Sequence, residues 1–417
     1  MATLIKNISS LVTMNTNGCL EKSGSQMQDI GEIKNGALIC DEKILWSGNS
    51  DDAPKYISEN NIQITDTVDA TGKTVLPGFV DSHTHLVFGG NRSNEFGRRL
   101  RGVSYQEIAR EGGGIQTTMK ATRSSSIEEL AETGIKLAKS AMKHGTTSFE
   151  VKSGYGLTLE SELNQLRAIK IMQKELPVHI SSTFLGAHDF PPEYKKDHQK
   201  YIEILTKEMI PAVVEEGLAE YCDAFIDEGY YTIKEGEQVL RAGLDHGMRL
   251  KVHADELADK GAALLAAEMG AVSADHLLFI SDKSADAMLK SGTVATLLPG
   301  TAYFIRMPYA PARKLIDKGL TVALSTDTNP GSSFTENMQL ILSLAAINMQ
   351  MTAEESLAAA TINGAKAIDQ SHRKGSLEVG KDADFIICNC DSFTDIFYHF
   401  GINHVASTWI AGKEYKF

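Results

Sequence analysis

The chain has 417 residues, longer than one typical domain, and its 42% hydrophobic and 23% charged residues are ordinary for a folded globular protein. A formal net charge of −13 argues against nucleic acid or an anionic membrane as the main partner, while leaving room for a local cationic pocket. No apolar stretch approaches a membrane span, the opening MATLIKNISSLVTMN lacks the basic and long apolar regions of a secretory signal, and the five scattered cysteines are expected as reduced thiols. The expected location is the cytoplasm.

Up to about Thr74 the pattern predicts short strands and turns, with GALICDEKILWSGN reading as two β-rich runs about an Asp-Glu turn. At the other end, GSLEVGKDADFIICN and HVASTWIAGKEY are strand-like and broken by glycine. Neither end has enough apolar surface to stand alone. Residues 1–74 and 374–417 are therefore expected to pair into one small β-sandwich domain, with residues 75–373 inserted between them. Cys388 and Cys390 form a C-x-C pair without a second ligand cluster nearby, which is weak evidence for metal.

The run VLPGFVDSHTH, Val75 to His85, reads as a buried strand whose Asp81, His83 and His85 share one face. Seven further strand-like runs follow: TTSFEVKSGY, VHISSTFLGAH, YCDAFIDE, MRLKVHAD, GAVSADHL, VATLLPG and LTVALSTD. Helical patterns such as LESELNQLRAIKIMQKEL and TIKEGEQVLRAGLDHG separate most of them. Eight strands alternating with helices are the signature of an α/β fold of the (β/α)8 TIM-like barrel type. An open doubly wound sheet is the alternative that strand counting leaves standing. Between the first and second strands, Leu86–Ser126 forms an Arg- and Gly-rich insertion where an active-site cover would sit. Within it EGGGIQTT, Glu111–Thr118, neither follows a strand nor precedes Lys-Ser/Thr, and it reads as a flexible lid or turn rather than a phosphate cradle.

Chemistry concentrates at the carboxyl ends of the strands, where barrels and doubly wound sheets carry their sites. His253 ends the fifth run, His276 the sixth and Asp327 the eighth. Singly, each is more often a structural hydrogen-bonding residue. Jointly, His83, His85, His253 and Asp327 would converge at one mouth, and three nitrogens plus a carboxylate suit a divalent ion such as zinc. His276 would stand beside them as a fifth candidate or as a supporting donor.

His-Thr-His after the first strand, His after the fifth and sixth, and Asp after the eighth resemble the amidohydrolase superfamily. The strings GGNRSNEF, EGGGIQ, KSGYGL, FLGAHDFP, HADE, ADHL and TDTNPGSS, spread along the chain, resemble its imidazolonepropionase family. The resemblance implies hydrolysis of the cyclic amide of 4-imidazolone-5-propanoate to N-formimidoyl-L-glutamate in histidine degradation. A bound metal, zinc or ferrous iron, would lower the pKa of its water to about 7. Asp327 would take the water's proton, Glu256 would pass one to the departing ring nitrogen, and His276 would orient the water or stabilise the oxyanion. The alternative for Glu256 is a first-turn helix carboxylate.

For the anionic substrate, Arg92 is the candidate carboxylate clamp, with Arg98, Arg99 and Arg101 expected to be solvated or structural. Tyr155 and His188 would line ring and tail, Tyr105 is a weaker candidate, and Asn329, Gly331 and Ser332 could supply further contacts. Binuclear relatives place a lysine or glutamate at the end of the fourth strand. Here YCDAFIDE offers Asp223, Asp227 and Glu228 and no lysine, so one metal is expected unless Asp227 or Glu228 contributes. The resemblance also implies a homodimer.

The nearest rival is an aminopurine or cytosine deaminase with the same metal set, for which a carboxylate clamp has less use. Zinc deaminases of the other fold carry H-x-E followed by P-C-x-x-C, which this chain lacks. A catalytically silent binding protein should have lost a ligand, and here the set is intact.

Overall fold

The computed structural model describes residues 2–103, 107 and 113–416. The amino-terminal strands are β1 (Ala2–Val12), β2 (Glu32–Cys40), β3 (Ile44–Asn49), β4 (Ile64–Asp69) and β5 (Thr74–Pro77). The barrel strands are β6 (Phe79–Asp81), β7 (Thr146–Lys152), β8 (His179–Ala187), β9 (Tyr221–Ile226), β10 (Arg249–Ala254), β11 (Ser273–His276), β12 (Val294–Leu297) and β13 (Val322–Leu324). The last three are β14 (Phe385–Cys388), β15 (Val405–Ile410) and β16 (Lys413–Tyr415).

Eight parallel strands run β6 to β13 in chain order, and helices between them cover the outside. Backbone bonds just beyond the strands close the ring, Asp327 N–H to His83 O at 3.1 Å and His85 N–H to Thr328 O at 2.9 Å. The architecture is a (β/α)8 barrel. The other sheet takes strands from both termini, in the order β16-β15-β14-β5-β1-β2-β3 with β4 on β1, and forms the small β-sandwich. Ile5, Leu11, Leu38, Phe385 and Trp409 pack into its separate core.

The Val75–His85 run is not one strand. Thr74–Pro77 pairs with β1 and β14 in the terminal sheet, and after Gly78 only Phe79–Asp81 enters the barrel. A continuous apolar run looks the same whether a strand stays in one sheet or passes between two. His83 and His85 accordingly lie in extended backbone just past β6.

Three helices depart from expectation. Ala53–Glu59 is helical inside the strand-rich first segment. Ile115–Ser124 is helical and entered from Gly114 at φ +71°, so EGGGIQTT runs into a helix rather than forming a lid or turn; its Glu111 and Gly112 lie outside the described residues. Ile127–Lys143 packs Leu130, Ala131 and Ala138 inward, and its capping box, Ser126 with Glu129, was present in the sequence as a start signal. Within the Leu86–Ser126 insertion, Ser93–Leu100 and Ile115–Ser124 are joined by Glu95, whose carboxylate accepts from Gly114 N–H at 3.1 Å and from Thr117 Oγ1–H at 2.8 Å. Among the described residues no helix is long and apolar enough to cross a membrane.

The barrel bore is unusually polar. Glu150, Lys152, Asp223, Lys251 and Asp275 are all fully buried in it, so each charge must find its partner inside.

Candidate active site

At the carboxyl end of the barrel, ligand nitrogens of His83, His85 and His253 lie within 4.8 Å of one another, and all three side chains are buried. Asp327 Oδ1 joins them, 3.5 Å from His83 Nε2 and 3.6 Å from His85 Nε2. Burial holds the imidazoles of His83 and His85 well below their usual range, so they remain neutral ligands. Burial also pushes Asp327 up to about 6, and its other oxygen accepts from Thr301 Oγ1–H. Asp327 adopts φ +51° and His276 φ +78°, left-handed conformations that non-glycine residues seldom take and that cluster at functional sites.

The donor set fits a metal. Nε2 of His83 and of His253 is buried without a hydrogen-bond partner. Orphaned buried lone pairs are costly unless something fills them, and three imidazole nitrogens with one carboxylate suit a divalent transition cation. The other edge of the His83 ring explains why its Nε2 faces inward: His83 Nδ1 lies 2.6 Å from Asp275 Oδ2, and because a carboxylate only accepts, Nδ1 keeps the proton and Nε2 is left as the ligand atom. His253 Nδ1 lies 3.0 Å from Asp223 Oδ2, close enough for electrostatic contact but without hydrogen-bond geometry.

Asp275 and Asp223 were not singled out as orienting groups. They become so only when neighbouring strands close around the bore, a relation that no single motif spells out. Beneath them Lys152 is fully buried; burial opposes its charge, but Asp223, Glu150 and Asp275 together hold its ammonium above the ordinary value.

Asp227 and Glu228 stand apart from the metal ligands. The Asp227 carboxylate accepts from the backbone N–H groups of Glu256, Leu257 and Ala258 at 2.7, 2.8 and 3.1 Å, fixing the turn after β10. Glu228 is exposed and pairs with Lys260 at 3.5 Å.

A cavity of about 450 Å³ opens above the metal ligands, lined by Arg92, Tyr155, His188, Glu256, His276, Asn329, Gly331 and Ser332. Glu256 Oε2 lies 3.7 Å from His276 Nε2, and burial, with Asp327 and Asp227 nearby, pushes the Glu256 carboxyl up to about 8. His188 Nδ1 is 3.0 Å from the Gly154 carbonyl, which requires a proton on Nδ1 and leaves Nε2 an acceptor; burial lowers this imidazole to about 3. The loop carrying Tyr155 is shaped by Glu162, a buried residue that sequence reasoning passed over. Its carboxylate accepts from Gly154, Gly156 and Leu157 N–H at 3.0, 2.8 and 2.8 Å.

Arg92 Nε–H donates to Thr118 Oγ1 at 2.8 Å, which aims the guanidinium end at the cavity. Gly331 makes room for it: a Cβ there would lie 2.3 Å from Arg92 Nη1. Asn329 spends its side chain on its own loop, accepting from Gly331 and Ser332 N–H at 2.8 Å each and donating to Asp327 O at 2.7 Å.

Of the neighbouring arginines, expected to be solvated or structural, Arg99 lines the cavity, donates to Gly331 O at 3.3 Å and stacks over Phe304 at 5.0 Å, while Arg98 and Arg101 are not among the lining residues. Tyr105 lies outside the described residues.

The Amidohydrolase family pattern matches residues 74–415. An imidazolonepropionase of Alkaliphilus metalliredigens is 46% identical over 98% of this chain and 97% of the relative. Another, from Porphyromonas gingivalis, is 47% identical over 98% and 96%. The chain belongs to the imidazolonepropionase family. Solved structures at lower identity share the fold alone. Escherichia coli guanine deaminase aligns with TM-score 0.75 at 15% identity, covering 100% of this chain and 99% of that one. An adenosine deaminase from Xanthomonas campestris, determined with bound zinc, aligns with TM-score 0.70 at 19% identity, covering 99% and 92%. The deaminase alternative thus rests on a shared architecture, whereas the imidazolonepropionases share nearly half of all positions along the full chain.

Proposed function

We infer that this chain is a metal-dependent hydrolase that opens the cyclic amide of 4-imidazolone-5-propanoate to N-formimidoyl-L-glutamate, a step of histidine degradation. The observation that carries this reading is the joint presence, in one cavity, of a three-histidine, one-aspartate ligand set and a guanidinium aimed inward. His83, His85, His253 and Asp327 would hold one zinc or ferrous ion, which supplies Lewis-acid polarisation and a lowered water pKa when bound.

The chain's own groups account for the rest. Arg92 grips the propanoate carboxylate through its two free Nη groups, while Tyr155 and His188 flank the ring. Asp327 accepts a proton from the attacking water as its oxygen bonds to the ring carbonyl carbon. Glu256, kept largely protonated at neutral pH by its surroundings, gives a proton to the ring nitrogen as the C–N bond breaks. His276, held neutral by burial, stabilises the developing oxyanion or orients the water. The family resemblance further supports a cytoplasmic homodimer, which light scattering tests for the assembly.

The test is freshly prepared 4-imidazolone-5-propanoate with purified protein, with and without a chelator, followed by loss of substrate ultraviolet absorbance. Chelator-sensitive loss supports the assignment. Metal-loaded protein that leaves the substrate untouched would refute it.

A further inference from the structure

Lys152, the last residue of β7, puts a charged ammonium into the sealed bore below the ligand histidines. Its Nζ lies 2.7 Å from Glu150 Oε1, 2.8 Å from Asp223 Oδ2 and 3.9 Å from Asp275 Oδ2. Each of these carboxylates touches a different part of the metal-binding constellation. Asp275 meets His83 Nδ1, and Asp223 meets both the ring and the backbone N–H of His253. Glu150 meets Thr84, the residue between His83 and His85, accepting from its N–H at 3.4 Å and through its own carbonyl from its Oγ1–H at 2.6 Å. The Lys152 backbone N–H closes the frame on Thr84 O at 2.9 Å.

We propose that Lys152 is the positioning residue of this site, one cation that ties three carboxylates together so that they hold the imidazoles of His83 and His253 in ligand-ready orientation. The inference rests on reading His83, His85 and His253 as metal ligands. Three carboxylates sharing a fully buried bore repel one another strongly. Without a central cation they separate, which loosens the contacts to His83 and His253 that orient the rings. Lys152 does not reach the cavity lining, and two of its three N–H donors are engaged by Glu150 and Asp223, so its influence on substrate runs through the histidines.

The test compares wild-type protein with Lys152→Met and with Lys152→Met/Glu150→Gln, which removes one charge of each sign and keeps the net charge of the cluster. Each protein is stripped of metal, titrated with zinc against a chromophoric chelator, and examined in the metal-free state by imidazole-nitrogen NMR. The single variant is expected to fold poorly and the double variant to fold. In the double variant the zinc dissociation constant rises about 10- to 100-fold, and the His83 tautomer, fixed as Nδ1–H in wild type by Asp275, becomes mixed. A double variant that stays unfolded, or one with wild-type zinc affinity and an unchanged His83 tautomer, would overturn the role of Lys152. Wild-type protein that takes up no zinc would instead overturn the ligand assignment, and this inference with it.

Discussion

Replacing Arg92 by alanine isolates the carboxylate clamp. Its Nε–H is committed to Thr118, so the substrate receives the two Nη groups, and a bidentate charge-assisted pair in a half-buried position contributes about 3 kcal/mol. That corresponds to a loss of roughly 150-fold in kcat/KM. The propanoate tail is unchanged by ring opening, so its binding is uniform between ground and transition states and the loss belongs in KM, with kcat held within about threefold. Thr118→Val, which keeps the charge and frees its aim, should raise KM about fivefold, in line with one lost hydrogen bond of ~1 kcal/mol. Gly331→Ala should act the same way by driving its Cβ into Arg92 Nη1. Steady-state kinetics on the imidazolone decide the matter. An Arg92→Ala enzyme with a near wild-type KM would show that another cation, Arg99 foremost, holds the carboxylate.

Glu256→Gln should lower kcat by about 10²- to 10⁴-fold with little change in KM, as expected for loss of a proton donor. In wild type, turnover that needs the protonated carboxyl should decline as pH rises through about 8. The same raised value carries a stability cost: the group's contribution is fully present below its ordinary value of 4.5 and is lost as pH rises through about 8. Glu256→Gln should therefore raise the melting temperature, and more at pH 9 than at pH 5; an equal shift at both would refute the burial argument. Asp327→Asn should weaken zinc binding by more than about tenfold in a chelator competition, and full retention of metal would remove Asp327 from the ligand set. Gly154→Ala should destabilise the protein by about 2 kcal/mol, because φ is +111° there and the new Cβ would lie 2.9 Å from Leu185 O and 3.0 Å from His188 Nδ1. Urea unfolding measures it, and an unchanged midpoint would contradict the φ assignment.

The barrel and the His83, His85 and His253 cluster were legible because their signals are local. Eight strand-like runs separated by helical patterns name the architecture, and His83, His85, His253, His276 and Asp327 each sit at the end of such a run. What escaped is what only closure creates. Asp275 reaches His83 across 192 residues of sequence, and Glu150 reaches Thr84 across 66. GRRLRG left Arg99 as either solvated or structural, and only the approach of Phe96 and Phe304 shows its guanidinium in a stacked, half-buried seat. The split at Gly78 escaped for a different reason, since β5 and β6 are both apolar and both buried.

That split has a consequence for how the protein is made. β5, one residue upstream of the strand that leads to His83, lies between β1 and β14, and Leu76 pairs with Ile386. At about 5–20 residues per second of translation, the roughly 310 residues between those partners take some 15–60 s to synthesise. For that interval one edge of β5 waits unpaired on the nascent chain, and so does β6 until Ser325 and Asp327 emerge. His83 and His85 thus leave the ribosome well before the residues that lock them in place.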